Sequence, residues 1–167
     1  MTVLAPAPGL RRTLARFTTG VTVVTTVDST GAVHGMTANA FTSVSLDPPL
    51  VLVAIARRAR THDRITAAGR YGVSVLAEQQ EALSRRFAGT SRAGTRVEFA
   101  WQDGIPLVEG CLAGLSCTVR DSHVAGDHVL HVGEVTALSC RDGRPLVFYG
   151  GAFRTLEELR EDAPWGF

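Results

Sequence analysis

Strand-like runs follow one another along this chain without helices between them, and that order restricts the possible folds more than any other feature. GVTVVTTVDSTGAVHGMT reads as two β-rich runs joined by the turn Asp28-Ser29-Thr30-Gly31-Ala32. FTSVSL and PLVLVAIA come next, then YGVSVLA, CLAGLSCTVRDSHV, HVLHVGEVTALSC and RPLVFYGG, for roughly seven or eight strands. A parallel doubly wound sheet needs a crossover helix after nearly every strand. The pattern therefore predicts a mainly β fold with short helices, an antiparallel barrel with helical decorations. Pro48-Pro49 belongs at a strand entrance or edge, because proline donates nothing to a ladder.

Two or three short helices are expected. Leu10, Leu14 and Phe17 recur at helical spacing with arginines on the other side. RTHDRITAAGR reads as a second helix, with Thr61 as N-cap and Gly69 near its C-terminal end. EQQEALSRRF reads as a third, with Leu83 and Phe87 on one face, and residues 88–105 read as loop.

A length of 167 residues fits one domain, with a core from about 10 to 156 and a tail at 157–167. An apolar fraction of 45% and a charged fraction of 20% describe an ordinary globular chain. A net charge of +1 argues against a nucleic-acid binder that works by phosphate neutralisation. No run approaches the roughly 20 apolar residues of a membrane span, and MTVLAPAPGLRRTLARF has no continuous apolar segment before a cleavage site. The expectation is a cytoplasmic protein with neither nucleic-acid nor membrane partners.

Cys111, Cys117 and Cys140 are odd in number and not spaced as CxxC, so they are predicted to be buried free thiols. In a strand, the spacing of three between His128 and His131 puts their rings on opposite faces, so they cannot chelate one metal. No metal site is expected.

The chain has no GxGxxG after a strand, no GxxxxGK[ST], no HExxH and no GxSxG. Three other features remain. Arg57, Arg58 and Arg60 precede Thr61 at a predicted helix start, which is either a phosphate site or a solvated basic corner. TANAFTSV is either the polar outer face of a strand or a wall that lets a flat ligand approach the backbone. In extended geometry Thr37, Asn39 and Phe41 share one face and Ala38 and Ala40 the other, unless a turn intervenes. The third feature is Gly126-Asp127-His128.

GMTANAFTSVSLDPPLVLV, with GDH and a following PLVFYGG, resembles the short-chain flavin reductase family. These proteins are the reductase components of two-component flavin-dependent monooxygenases. The resemblance runs from about Leu10 to about Leu156 and implies a homodimeric, flavin-binding split β-barrel of Greek-key type. Such a protein uses NADH, or NADPH as second candidate, to reduce FAD or FMN for a partner oxygenase. By resemblance, Thr37, Ala38, Asn39 and Ala40 border the isoalloxazine, with Ser43 and Val44 behind them. Ala54, Ile55 and Ala56 lie where the flavin follows the backbone. Arg60, Thr61, Arg86 and Phe87 form the phosphate pocket. Asp127, His128 and Tyr149 form the nicotinamide side, with His128 positioning the ring; the rival account of His128 is a rim histidine bonded to Asp127 or a carbonyl. Relatives often carry Cys or Ser, Asn and Ser where this chain has Ala54, Ala56 and Ala59, so the flavin would be held either more loosely here or by arginine and main chain instead. The alternatives on the same barrel are an oxidase of pyridoxamine-phosphate-oxidase type and a non-catalytic flavin- or haem-binding sensor. Trp101, Trp165 and Phe167 read as packing or dimer residues.

Overall fold

Two residues, Asn39 and Ala40, explain the shape of the main sheet. In a computed structural model that describes residues 7–90 and 96–156, they join β3 (Val33–Ala38) to β4 (Phe41–Leu46). The seven-stranded sheet to which both belong runs β3-β2-β6-β9-β10-β5-β4, so these consecutive strands are its opposite edges. Its other members are β2 (Thr22–Val27), β5 (Pro49–Ala56), β6 (Arg70–Val75), β9 (Ala113–Ala125) and β10 (His128–Cys140). Three Cα steps separate Ala38 from Phe41, at most about 11 Å. The sheet must therefore roll until its edges nearly meet. They do not pair, so the ladder is not closed into a barrel. Every neighbouring pair is antiparallel, as the uninterrupted run of strands predicts.

The roll encloses one core, in which Val24, Val53, Ile55, Tyr71, Val73 and Cys117 are fully buried. Helix α2 (Arg60–Ala68) delivers Ile65 into it. Its C-cap is Gly69, at φ 66°, whose N–H donates to Ile65 O at 2.8 Å. Only a residue without Cβ takes this left-handed conformation freely. Thr61 is not the N-cap: Ala59 holds that position with extended backbone and no side-chain bond, while Thr61, within the first turn, is buried.

A second cluster lies outside the roll, around Val21, Val23, Leu76, Val108 and Leu146. Leu83 and Phe87 of α3 (Glu81–Phe87) pack on it from one helix face, as their spacing predicts. Strand β2 is buried on both sides, between the two cores, and its hydroxyls are satisfied by carbonyls: Thr22 donates to Ala38 O at 2.7 Å and Thr26 to Arg70 O at 2.8 Å.

Twelve strands occur among the described residues, more than the sequence count. The additions are short: β1 (Thr19–Gly20), β11 (Val147–Tyr149) and β12 (Ala152–Arg154) form a small sheet, and β7 (Phe99–Gln102) pairs with β8 (Ile105–Val108). The last pair corrects the loop expected over 88–105. Its turn is Asp103-Gly104, both at positive φ, the geometry that two-residue hairpins require. Helix α1 (Ala7–Leu14) forms as expected, but Leu10, Leu14 and nearby Phe17 are 49%, 62% and 77% exposed. Of the three cysteines only Cys117 is buried; Cys140 is exposed and Cys111 half-buried, so the expected set of buried thiols reduces to one.

Candidate functional site

Strand alternation gives β5 and β10 two different faces. Val51, Val53, Ile55, Val129 and His131 point into the roll and are buried. Leu52, Ala54, Ala56, His128 and Leu130 point outward and are half-buried. A cleft of about 590 Å³ opens on this outer face, with Ala54, Leu52, Thr42, Asn39 and Ala40 on one side and Leu14 and Phe17 on the other. A second hollow, of about 630 Å³, is lined by Ala56, Arg57, Arg58, Asp127 and His128, and Arg11 of α1 borders both. A smaller cavity of about 190 Å³ shares Asn39 and Phe148 with the cleft and reaches Thr37, Ser84 and Ala88.

Strand pairing brings distant sequence together here. Ala56 is the register partner of His128, and the Arg57 N–H donates to Asp127 O at 2.9 Å. Thus the basic corner and the Gly-Asp-His turn lie at one end of the paired strands. His128 Nδ1 is 2.7 Å from Asp127 Oδ1. That hydrogen bond, and then the imidazolium charge, hold the exposed Asp127 carboxyl below its usual range. The Asp127 contact fixes the ring while its other nitrogen takes no part in that bond.

Not every candidate residue meets at this surface. Ala38 and Ile55 point into the core, so a ligand could meet only their main chain. A corner at Asn39 and Ala40 interrupts the extended geometry, and the Ala54 N–H donates to Ala40 O at 2.9 Å. Thr37 Oγ1 donates to Ser84 O at 2.6 Å. Ser43 and Val44 are exposed on the edge strand β4 and do not line the cleft. Arg60 and Arg86 are exposed at helix ends, and neither they nor Thr61 border these hollows. Phe87 lies over Gly35, where a Cβ would come within 2.7 Å of its ring. The Tyr149 hydroxyl accepts a long bond from Arg16 Nη1, 3.4 Å. Trp165 and Phe167 lie outside the described residues, and Trp101 is 57% exposed.

Several wall residues were not singled out in sequence: Arg11, Thr19, Phe148 and Ser84. Arg11 sits on the helix side that periodicity assigns to solvent, and Phe148 belongs to a three-residue strand too short for periodicity. Thr19 Oγ1 and Ser84 Oγ are buried with no hydrogen-bond partner, although each residue borders one of the hollows. A buried hydroxyl left unpaired costs about 1–3 kcal/mol, so both are expected to find a partner. Among the described residues, no three His, Cys, Asp or Glu side chains are grouped as metal ligands would be, and no helix is long and apolar enough to cross a membrane.

The outer face of a rolled antiparallel sheet thus carries a cleft floored by Ala54 beside a hollow lined by Ala56, Arg57 and Arg58, with room for a flat ligand. The chain belongs to the flavin reductase like domain family, which it matches over residues 14–157. It is 58% identical over 160 residues to an NADH-dependent flavin reductase of Rhodococcus sp, covering 95% of this chain and 91% of that one. It is 45% identical over 144 residues to the FMN reductase (NADH) SmoA of Agrobacterium fabrum, covering 86% and 82%. Among solved structures, flavin reductase PheA2 superposes with a TM-score of 0.89 at 41% identity, covering 92% of this chain and 100% of that one. The Streptomyces globisporus NADH:FAD oxidoreductase SgcE6, in complex with NAD and FAD fragments, superposes at 0.82 with 36% identity, covering 98% and 100%.

Proposed function

We propose that this protein is an NADH-dependent flavin reductase that transfers hydride from NADH to FMN or FAD and supplies reduced flavin to a separate monooxygenase. The observation that carries the reading is the pairing of Ala56 with His128, which joins the small-residue slot, the arginine corner and the Gly-Asp-His turn in one surface. Relatives add weight: one of them is a monooxygenase reductase subunit, HsaB of Rhodococcus jostii, 36% identical over 160 residues, and the relatives described above are reductases rather than oxidases or sensors.

The residues present fit a flavin. Ala54 and Ala56 leave room for a flat ring against the strand, and the unpaired hydroxyls of Thr19 at the cleft and Ser84 at the smaller cavity beside it are candidate partners for a ligand. When bound, the flavin accepts hydride at its ring, chemistry that belongs to the cofactor. The chain's share is placement, holding two flat rings with their reacting atoms about 3–3.5 Å apart. Asn39, Ala40 and the main chain of Thr37, Ala38 and Ile55 would border the flavin, with Ser43 and Val44 further along β4. Arg57 and Arg58, which line the hollow, would serve its phosphate end; Arg60, Thr61, Arg86 and Phe87, the set the resemblance implies, do not border it and would reach a phosphate only beyond its rim. Asp127 holds the His128 ring, and His128, with Tyr149, would position the nicotinamide.

In this reading the rolled sheet is a Greek-key split β-barrel, supported by edge strands that meet at residues 39 and 40 without pairing. The core from about 10 to 156 acts as one cytoplasmic domain. A second copy of the chain would form a homodimer and cover part of the exposed Leu10, Leu14, Phe17, Val44 and Leu46. NADH absorbance followed at increasing FMN or FAD tests the reading. Saturable oxidation is expected; no turnover with either flavin would overturn it.

A further inference from the structure

His131 is fully buried, and both of its ring nitrogens are engaged. Nδ1 lies 2.9 Å from Ser122 Oγ on β9, and Nε2 lies 3.0 Å from His62 Nδ1 on α2. The two imidazoles are tilted at 37° with centroids 5.2 Å apart. Beneath them, the Tyr71 hydroxyl of β6 donates to His131 O at 3.3 Å. This chain of side chains runs along the inner face of β10, behind the outer face that carries His128. It also joins the two halves of the proposed site. His62 is two residues beyond Arg60 in the helix that follows the arginine corner, and His131 is three residues beyond His128.

We propose that Ser122, His131 and His62 are positioning residues, a brace centred on the buried His131 that holds the Arg57–Arg60 corner against the strand bearing Asp127 and His128 and so sets flavin affinity. The proposal rests on the flavin reductase reading.

The contact has a definite proton requirement. Where two ring nitrogens meet, one must carry hydrogen and the other a lone pair. Ser122 can donate or accept, so the chain tolerates either tautomer. One added proton preserves the bond, whereas a second sets N–H against N–H. Burial first, and then the neighbouring His62, push the His131 pKa down, which resists that second proton. Asp63 and Arg64 flank His62 on α2. On β9, Asp121 accepts the Ser122 N–H at 2.7 Å and sits 3.0 Å from His123. From β5, the register partner of His131 is the apolar Val53, and from β6 comes the Tyr71 phenol.

The test compares wild type, His62→Leu and His62→Asn as full chains. His62→Leu is expected to raise the KM for flavin about tenfold, with kcat and the KM for NADH within about threefold of wild type. His62→Asn, whose amide can replace the Nδ1 contact, should restore most of the affinity. In wild type the KM for flavin should rise in acid, where a second proton is forced onto the pair, and in His62→Leu that dependence should vanish. Amide hydrogen exchange should accelerate at residues 57–62 in His62→Leu. If His62→Leu fails to fold, Ser122→Ala is judged by the same readouts. Unchanged exchange at 57–62, an unchanged KM for flavin, or equal loss of both affinities without rescue by Asn would overturn the brace. Wild type that oxidises no NADH would sink the flavin reductase reading instead, and the exchange data alone would then decide the brace.

Discussion

The inner and outer faces of β5 and β10 share a backbone but differ in every other respect. The inner face is bulky and closed: Val51, Val53 and Ile55 are 7%, 0% and 0% exposed. The outer face reduces to alanine at positions 54 and 56 and stays open to a cleft. Because side chains alternate, one strand can supply a rigid wall to the core and a flat floor to a ligand. The polar groups divide the same way. His131 faces inward with both nitrogens bonded, while His128 faces outward beside Asp127. Truncating an apolar side chain of the inner face should therefore be read in stability, and a substitution on the outer face in cofactor use.

The largest expected effect is on the inner face. Ile55→Ala removes a fully buried side chain and should cost about 2–5 kcal/mol in chemical denaturation. If the variant lost flavin affinity but kept its stability, the division between faces would be wrong. On the outer face, His128→Ala should raise the KM for NADH about tenfold while leaving flavin affinity within about twofold. Equal loss of both would make His128 a rim residue that supports the fold.

A smaller effect is expected in alkali, again from the inner side. Burial pushes the Cys117 thiol up from 9.0 to about 12, and burial likewise raises the Tyr71 phenol above its ordinary 10.0. Between the unfolded and folded values the native state holds a proton that the unfolded state has lost. Stability is thus fully present below about pH 9 and falls as pH rises through the raised values. Cys117→Ala should flatten the first part of that decline in urea midpoints measured against pH. An identical slope in the variant would show that Cys117 does not contribute.

Much of the fold was legible because strand patterning, Pro48-Pro49 and Gly69 each act locally. The β7–β8 hairpin was readable too, since Asp103-Gly104 between apolar runs is a strong hairpin signal, but the surrounding glycines and arginines concealed it. Thr61 misled because a threonine before a helical run suggests a cap, whereas its place inside the first turn sends it into the core. The site was legible at its motifs and not at its walls. Small residues, arginines and Gly-Asp-His stand out in a sequence, but their meeting depends on the register Ala56 to His128 across 71 intervening positions. Arg11, Thr19 and Phe148 join only through the packing of α1 and β11 over the rolled sheet. The Ser122–His131–His62 chain could not be read at all, because three elements supply it and no local spacing marks it.

The account stands most directly on the floor of the cleft. Ala54→Leu adds three carbons on the outer face without touching the core, so thermal stability should stay within about 0.5 kcal/mol of wild type. Flavin binding, followed by quenching of flavin fluorescence, should weaken by about tenfold or more as the slot fills. Unchanged flavin affinity in a stable Ala54→Leu protein would contradict the claim that this face holds the cofactor.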